Sequence, residues 1–322
     1  MADVDILLPM PMPPKVVADL GARFRVHNLA EAKDRDRLLA EVGGKVRGMA
    51  AGVVAPVKAD LIDRLPKLEI IAKFGVGYDT VDAAHAARRG VIVTNTPDVL
   101  TEETADTAFG LLLMTTREFG EAARWAKEGR WAKDGAFPLT IGTLRDRTVG
   151  IVGLGRIGEA IARRLEASKV RVVYHNRRPK TGVSLHYYAD LIAMARDVDT
   201  LINVLPGSAD TTRIINAAVL EALGPRGILI NIGRGTTVDE DALIAALKGR
   251  LIQSAGLDVF WNEPNIDPRF LALDNVVLFP HVGSASVYTR DAMGQLVVDN
   301  LVSWFETGRP LTPVAETPWP PA

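Results

Sequence analysis

Thr148-Val149-Gly150-Ile151-Val152-Gly153-Leu154-Gly155-Arg156-Ile157-Gly158-Glu159 is the stretch on which the fold turns. Five strand-forming residues run straight into G-x-G-x-x-G, and a helical pattern follows to Ala167. In that setting each glycine has a task. Gly153 permits the tight turn, Gly155 lets a pyrophosphate approach the backbone, and Gly158 lets helix and strand pack closely. The helix start offers unpaired N–H groups and partial positive charge to phosphate. The stretch therefore reads as a dinucleotide-binding turn, with Arg156 and Ile157 at the helix start beside the phosphates.

The next strand pattern is Val170-Arg171-Val172-Val173-Tyr174, followed by His175-Asn176-Arg177-Arg178-Pro179-Lys180. An NAD site usually places an acid about 20 residues after the turn, to hold the ribose hydroxyls. No acid stands here. Asn176, Arg177 and Arg178 instead suit a 2′-phosphate, so NADPH is the expected cofactor and NADH a possible one. An ordinary solvated basic loop is the competing reading.

Outward from this point, short apolar runs alternate with helical patterns along the whole chain, the signature of parallel sheets. The first series predicts strands near 4–8, 23–27, 48–54, 69–74 and 91–95, with a helix over 82–89. One long helix is expected over 102–128. The second series predicts strands near 148–152, 170–174, 200–204, 227–232, 254–258 and 276–279. A last helix is expected over 286–307, before a tail with five prolines. The fold class is thus α/β, with two Rossmann-like, doubly wound parallel-sheet domains and a cleft between them. A break near Thr96-Pro97-Asp98, and a final helix with no strand after it, make the first domain discontinuous. It would comprise 1–99 plus 287–322, with the nucleotide domain at 100–286.

Composition narrows the function classes. Lys plus Arg number 38 against 39 acids, a formal charge of −1, which argues against nucleic acid or anionic membrane as a partner. There is no cysteine, so disulfides, thiolate metal sites and a cysteine nucleophile are excluded. The start, Met1-Ala2-Asp3-Val4-Asp5, lacks the basic and apolar regions of a signal peptide. A soluble cytoplasmic enzyme without a metal is the expectation.

Three further segments carry chemistry. Asn231-Ile232-Gly233-Arg234-Gly235 closes an apolar strand, and strand ends of open α/β sheets face the ligand. An arginine between glycines there can grip a carboxylate with a bidentate fork. Gly256-Leu257-Asp258-Val259-Phe260-Trp261-Asn262-Glu263-Pro264 is the second. Pro280-His281-Val282-Gly283-Ser284 is the third, and its histidine alone among five lies between a strand end and a glycine loop. Taken singly, His281 could be a satisfied buried histidine, Glu263 a turn residue and Arg234 a structural ion-pair partner. Asp79 and Asp82 read as cap or turn residues.

In order along the chain, Phe74-Gly75-Val76-Gly77-Tyr78-Asp79, the glycine turn, Asn-Ile-Gly-Arg-Gly, Asp-Val-Phe-x-x-Glu-Pro and Pro-His-x-Gly-Ser resemble the D-isomer-specific 2-hydroxyacid dehydrogenases. The resemblance covers nearly the whole chain. It implies hydride transfer between a nicotinamide and C2 of a small 2-keto or 2-hydroxy acid. By its motifs Arg234 is the substrate arginine, Glu263 the acid that orients the histidine, and His281 the acid/base. Val76 and Gly77 supply backbone N–H groups for the substrate carboxylate, and Asp258 holds the nicotinamide carboxamide. The residue types suit this independently. Reduction needs a proton on the carbonyl oxygen, and histidine, with an ordinary pKa of about 6.5, can give it near neutrality.

The basic loop resembles that of the family's NADP-preferring glyoxylate and hydroxypyruvate reductases. Glu263 stands where the family's formate dehydrogenases carry glutamine, which argues against formate. Pro9-Met10-Pro11-Met12 and Val53-Val54-Ala55 are candidate walls of the substrate pocket. A homodimer is a family expectation, with Phe137 on the arm that relatives use to pair. Two other readings stay open: an NAD-dependent dehydrogenase of another 2-hydroxy acid, and a dinucleotide-sensing protein like the family's transcriptional corepressors.

Overall fold

The computed structural model describes residues 3–145 and 147–320. Met1, Ala2, Asp146, Pro321 and Ala322, which include the outer ends of the first expected domain, lie outside the described residues. The chain divides into two compact units. One holds the residues up to Leu100 and those from Ser286 onward; the other is Thr101–Ala285.

The first unit alternates strand and helix: β1 (Asp5–Leu8), α1 (Pro14–Gly21), β2 (Arg25–Asn28), α2 (Arg35–Val42), β3 (Val46–Ala51), α3 (Ala59–Asp63), β4 (Ile70–Lys73), α4 (Ala83–Arg88) and β5 (Ile92–Thr94). All five strands are parallel, in the order β2-β1-β3-β4-β5. Leu7, Met49, Ile71 and Val93 are fully buried in one core cluster, as expected for strands covered on both faces. The Asp82 side chain accepts the His85 N–H at the start of α4, a cap worth about 1 kcal/mol.

The second unit begins with three helices, α5 (Thr101–Arg117), α6 (Phe119–Lys127) and α7 (Arg130–Asp134). It continues through β6 (Thr148–Val152), α8 (Arg156–Ala167), β7 (Arg171–His175), β8 (His186–Tyr188), α9 (Leu191–Asp197), β9 (Thr200–Asn203) and α10 (Ala217–Leu223). It ends with β10 (Ile228–Asn231), α11 (Glu240–Lys248), β11 (Ser254–Leu257), α12 (Pro268–Leu271) and β12 (Val276–Leu278). Its seven strands are parallel, in the order β12-β11-β10-β9-β6-β7-β8. One core cluster joins α5 and α8 to the sheet, through Leu111, Leu112, Ile161 and Ile151. Another joins α9, α10 and α11 through Met194, Leu220 and Leu247.

The last helix, α13 (Val287–Thr307), packs on α1 and β4 in the first unit. Gly294 makes that approach possible, since a β-carbon there would lie 2.5 Å from Val16 Cγ2. Ser286 caps its start and left-handed Gly308 its end. The proline-rich tail then lies along β5: Val314 donates to Val93, whose own N–H donates to Thr317 Oγ1.

Two expectations need correction. The helix expected over 102–128 is broken in two at Glu118, whose φ is +51°. Neither glycine nor proline marks the place, and the left-handed turn costs about 1–2 kcal/mol. It directs α6 away from the sheet, and neither α6 nor α7 buries any residue in this chain. The strand β8 was not expected at all; three residues are too few to show a period.

Candidate active site

Three adjacent strands carry the chemistry. β10, β11 and β12 pair in parallel with Asn231 opposite Leu257, and Leu257 opposite Leu278. Arg234, Asp258 and His281 follow the C-terminal ends of these three strands in turn. Backbone pairing continues past the strands: Asp258 N–H donates to Asn231 at 2.9 Å, Phe279 N–H to Leu257 at 2.8 Å and His281 N–H to Asp258 at 2.9 Å. This brings the expected catalytic segments together within the second unit.

His281 Nδ1 and Glu263 Oε2 are 2.6 Å apart. The other Glu263 oxygen accepts the Phe260 N–H at 2.9 Å, so the carboxylate is held from both sides. Burial by itself pushes the Glu263 carboxyl up. The hydrogen bonds from His281 and Phe260, and the charges of His281 and Arg234, outweigh it and hold the group below the usual carboxylate range. Glu263 thus stays ionised, and an ionised acceptor takes a proton from Nδ1. Nε2 has no partner among the described residues and is the nitrogen left for chemistry.

Arg234 is half-buried and extended, and its carbonyl takes three donors: Asn231 Nδ2 at 3.0 Å, Thr237 Oγ1 at 2.6 Å and Thr237 N–H at 3.2 Å. Behind it Asn203 Nδ2 donates to both Asn231 Oδ1 and Thr237 Oγ1. Asn203, Asn231 and Thr237 are fully buried, and a satisfied buried polar network fixes one geometry. Gly235 allows the arginine segment to touch the Glu263 segment, for a β-carbon there would lie 1.9 Å from the Phe260 carbonyl carbon. Asn203 and Thr237 were not read from the sequence; a polar residue closing the apolar strand β9 is the signal that was there for Asn203.

Asp258 is buried, which raises its carboxyl against the pull of two backbone hydrogen bonds. Oδ1 accepts the Val282 N–H at 2.7 Å and Oδ2 the Gly283 N–H at 2.9 Å. What the structure shows it holding is the loop that carries His281.

The glycine turn fits a dinucleotide. Gly153 has φ +101°, and a β-carbon would press on Leu205. A β-carbon on Gly158 would lie 2.5 Å from the Gly153 carbonyl oxygen, whereas one on Gly155 would meet nothing within 4 Å. The close packing and the open side thus fall where a pyrophosphate needs them, with the first-turn amides of Arg156, Ile157 and Gly158 at the helix start. Asn176 Oδ1 accepts the Leu154 N–H at 2.7 Å and so ties the turn to the β7 loop. The missed strand β8 braces that loop: His175 Nδ1 donates to the Tyr188 carbonyl, and Tyr187 OH to the Asn176 carbonyl. Arg177 and Arg178 are exposed, and Asp210 stands 3.7 Å from Arg177 in a solvated pair worth little. Lys180, the third cation of the loop, pairs with Glu159 at 2.8 Å.

In the first unit, Val76 and Gly77 follow β4. Gly75 has φ +138° and exchanges hydrogen bonds with Thr96, and Asn95 Nδ2 holds the Val76 carbonyl at 2.8 Å. The Val76 and Gly77 N–H groups have no partner among the described residues.

A Rossmann sheet with its glycine turn, and a histidine–carboxylate pair beside an arginine, define an NAD(P)-dependent oxidoreductase. The profile described as "D-isomer specific 2-hydroxyacid dehydrogenase, NAD binding domain" matches residues 109–283. The hydroxyphenylpyruvate reductase of Plectranthus scutellarioides is 42% identical over 98% of this chain and 100% of its own. A glyoxylate/hydroxypyruvate reductase of Arabidopsis thaliana is 41% identical over 98% of this chain and 100% of its own. The NADPH-dependent glyoxylate/hydroxypyruvate reductase of Sinorhizobium meliloti, solved with NADP and malonate, is 53% identical with a TM-score of 0.93, covering 98% of both chains. The chain belongs to the D-isomer-specific 2-hydroxyacid dehydrogenase family. No helix among the described residues is long and apolar enough to cross a membrane, and no group of three or more His, Cys, Asp or Glu stands together as a metal site.

Proposed function

We propose that this protein reduces a small 2-keto acid, of the size of glyoxylate or hydroxypyruvate, to the D-2-hydroxy acid with NADPH. The observation that carries the reading is the 2.6 Å contact between His281 and Glu263, which leaves Nε2 open. When bound, the reduced nicotinamide supplies the hydride for C2. His281 gives the Nε2 proton to the carbonyl oxygen as charge grows there. Glu263 supports the imidazolium that gives the proton and fixes which nitrogen reacts. Arg234 neutralises the substrate carboxylate and polarises the carbonyl. Val76 and Gly77 offer their open N–H groups to a substrate carboxylate. Arg177 and Arg178 bind the 2′-phosphate, and Asn176 takes the place of the ribose acid.

The relatives named above as reductases of glyoxylate, hydroxypyruvate and hydroxyphenylpyruvate support this choice of substrate class. A keto-acid screen followed by NADPH and NADH absorbance tests it. Oxidation of NADPH with glyoxylate or hydroxypyruvate, faster than of NADH, is expected. Tight NADPH binding with no turnover of any 2-keto acid would favour the sensing reading instead.

The homodimer belongs to the same proposal. Trp131, Leu139 and Ile141 are 71%, 98% and 86% exposed, and all lie on the arm around α6 and α7. So much apolar surface on α7 and the segment after it, beside helices with no buried residue of their own, suits a second copy.

A further inference from the structure

Lys73 ends β4 and is 1% exposed, although lysine is among the residues least often buried. Its Nζ lies 2.5 Å from the Gly52 carbonyl oxygen and 2.5 Å from that of Val53. These carbonyls belong to the loop after β3, the strand next to β4, with Ala51 opposite Lys73. A methionine would fill the same space. Only a donor on a long stem can close on two consecutive carbonyls at once. Drawing both toward one atom fixes the course of the backbone as it leaves the sheet.

The loop so held presents a defined face. Gly52 sits against the loop after β1, with a β-carbon position 3.0 Å from the Pro11 carbonyl oxygen and 3.5 Å from Met12 Sδ. Ala55 is fully buried and its N–H closes a turn onto Gly52. Between these anchors Val54 is 59% exposed, an apolar side chain held outward by a loop that is otherwise tied down. The loop stands at the C-terminal edge of a parallel sheet, where ligands bind. The adjoining strand end leads from Lys73 through Phe74 into the open Val76 and Gly77 amides. A carboxylate taken by those amides leaves its C3 substituent to be read by whatever lines the neighbouring strand end.

We propose that Lys73 is a positioning residue that sets substrate specificity: it clamps the 52–55 loop so that Val54 forms the wall met by the C3 substituent of the 2-keto acid. This rests on the reading of the protein as a keto-acid reductase. Glyoxylate has no C3 and is indifferent to the wall; acids with a branched or aromatic C3 group depend on it. Releasing the clamp changes the relative KM of the two kinds of acid more than it changes kcat.

The test compares wild type with Lys73→Met on glyoxylate, hydroxypyruvate and hydroxyphenylpyruvate, each with NADPH. The ratio of kcat/KM between the largest acid and glyoxylate should move by about tenfold, chiefly through KM, the scale on which apolar pockets discriminate. An equal change for all three acids, or none, overturns the proposal. Val54→Phe, at an exposed position, should move the same ratio without touching the clamp, and an unmoved ratio there counts equally against it. Hydrogen exchange gives a readout that needs no turnover. The amides of residues 53–55 should exchange about tenfold faster in Lys73→Met, while those of β6 keep their rate. Unchanged loop exchange would remove the clamp, whereas failure of the wild type to turn over any keto acid would instead remove the reductase reading.

Discussion

Asp258 and His281 are joined through the backbone, the histidine N–H donating to the aspartate carbonyl at 2.9 Å while the aspartate carboxylate takes the next two amides. The reason for three bonds at one place is the conformation of His281. Its φ is +53°, a left-handed state that costs a non-glycine residue about 1–2 kcal/mol. Such a state persists only where its surroundings over-determine it. Asp258 does so, and it thereby points the imidazole at Glu263. Asp258→Ala should therefore lower stability by about 2–4 kcal/mol, from hydrogen bonds to a charged acceptor, and lower kcat at least about tenfold. Urea unfolding and steady-state kinetics measure the two; normal kcat in a destabilised variant would show that the loop is held without it.

Glu263 makes stability depend on pH. Its folded-state carboxyl lies below the unfolded value of 4.5, because bonds from His281 and Phe260 outweigh burial. A depressed carboxylate adds stability that is complete above the unfolded value and is lost as pH falls through the lower folded value. The stability gap between wild type and Glu263→Gln should be widest near neutrality and should narrow below about pH 4.5. Urea unfolding across that pH range measures the gap, and a gap that does not change with pH would show that the Glu263 charge adds nothing to stability.

Arg177 and Arg178 govern the choice between the two dinucleotides. Replacing both by alanine should raise KM for NADPH about tenfold or more and leave NADH within about twofold, because only the former carries the 2′-phosphate. Lys180 is held by Glu159 and should not compensate. Equal preference before and after would make the loop a bystander.

The arm makes a prediction about assembly. Leu139→Glu with Ile141→Glu places two charges on side chains that are almost fully exposed in the single chain. Folding of one chain should be unaffected, and sedimentation velocity should show a dimer become a monomer. A variant that remains dimeric would locate the interface elsewhere.

Much of this was legible in the sequence, for identifiable reasons. The inner strands of both sheets are mostly apolar runs buried on two faces, so β6 and β7 could be placed within a residue from the sequence pattern. The glycine turn declares itself because each glycine answers a steric need, as Gly158 against the Gly153 carbonyl shows. Glu118 and β8 escaped notice for opposite reasons. The helix break is made by a residue with no turn preference, and β8 is too short to have a period. Arg234, Glu263 and His281 could be named from motifs, but what supports them could not. Asn203, Thr237 and Asp258 act through bonds between segments far apart in sequence, and only the fold brings those segments together.

The most direct measurement of the central claim is single-turnover reduction of glyoxylate by wild type and His281→Ala, each preloaded with NADPH and followed by cofactor absorbance. The rate constant should fall by roughly 10²–10⁴ in the variant, as loss of a general acid does, with NADPH affinity unchanged. A variant that oxidises NADPH at the wild-type rate would contradict the account, for the proton must then come from another group.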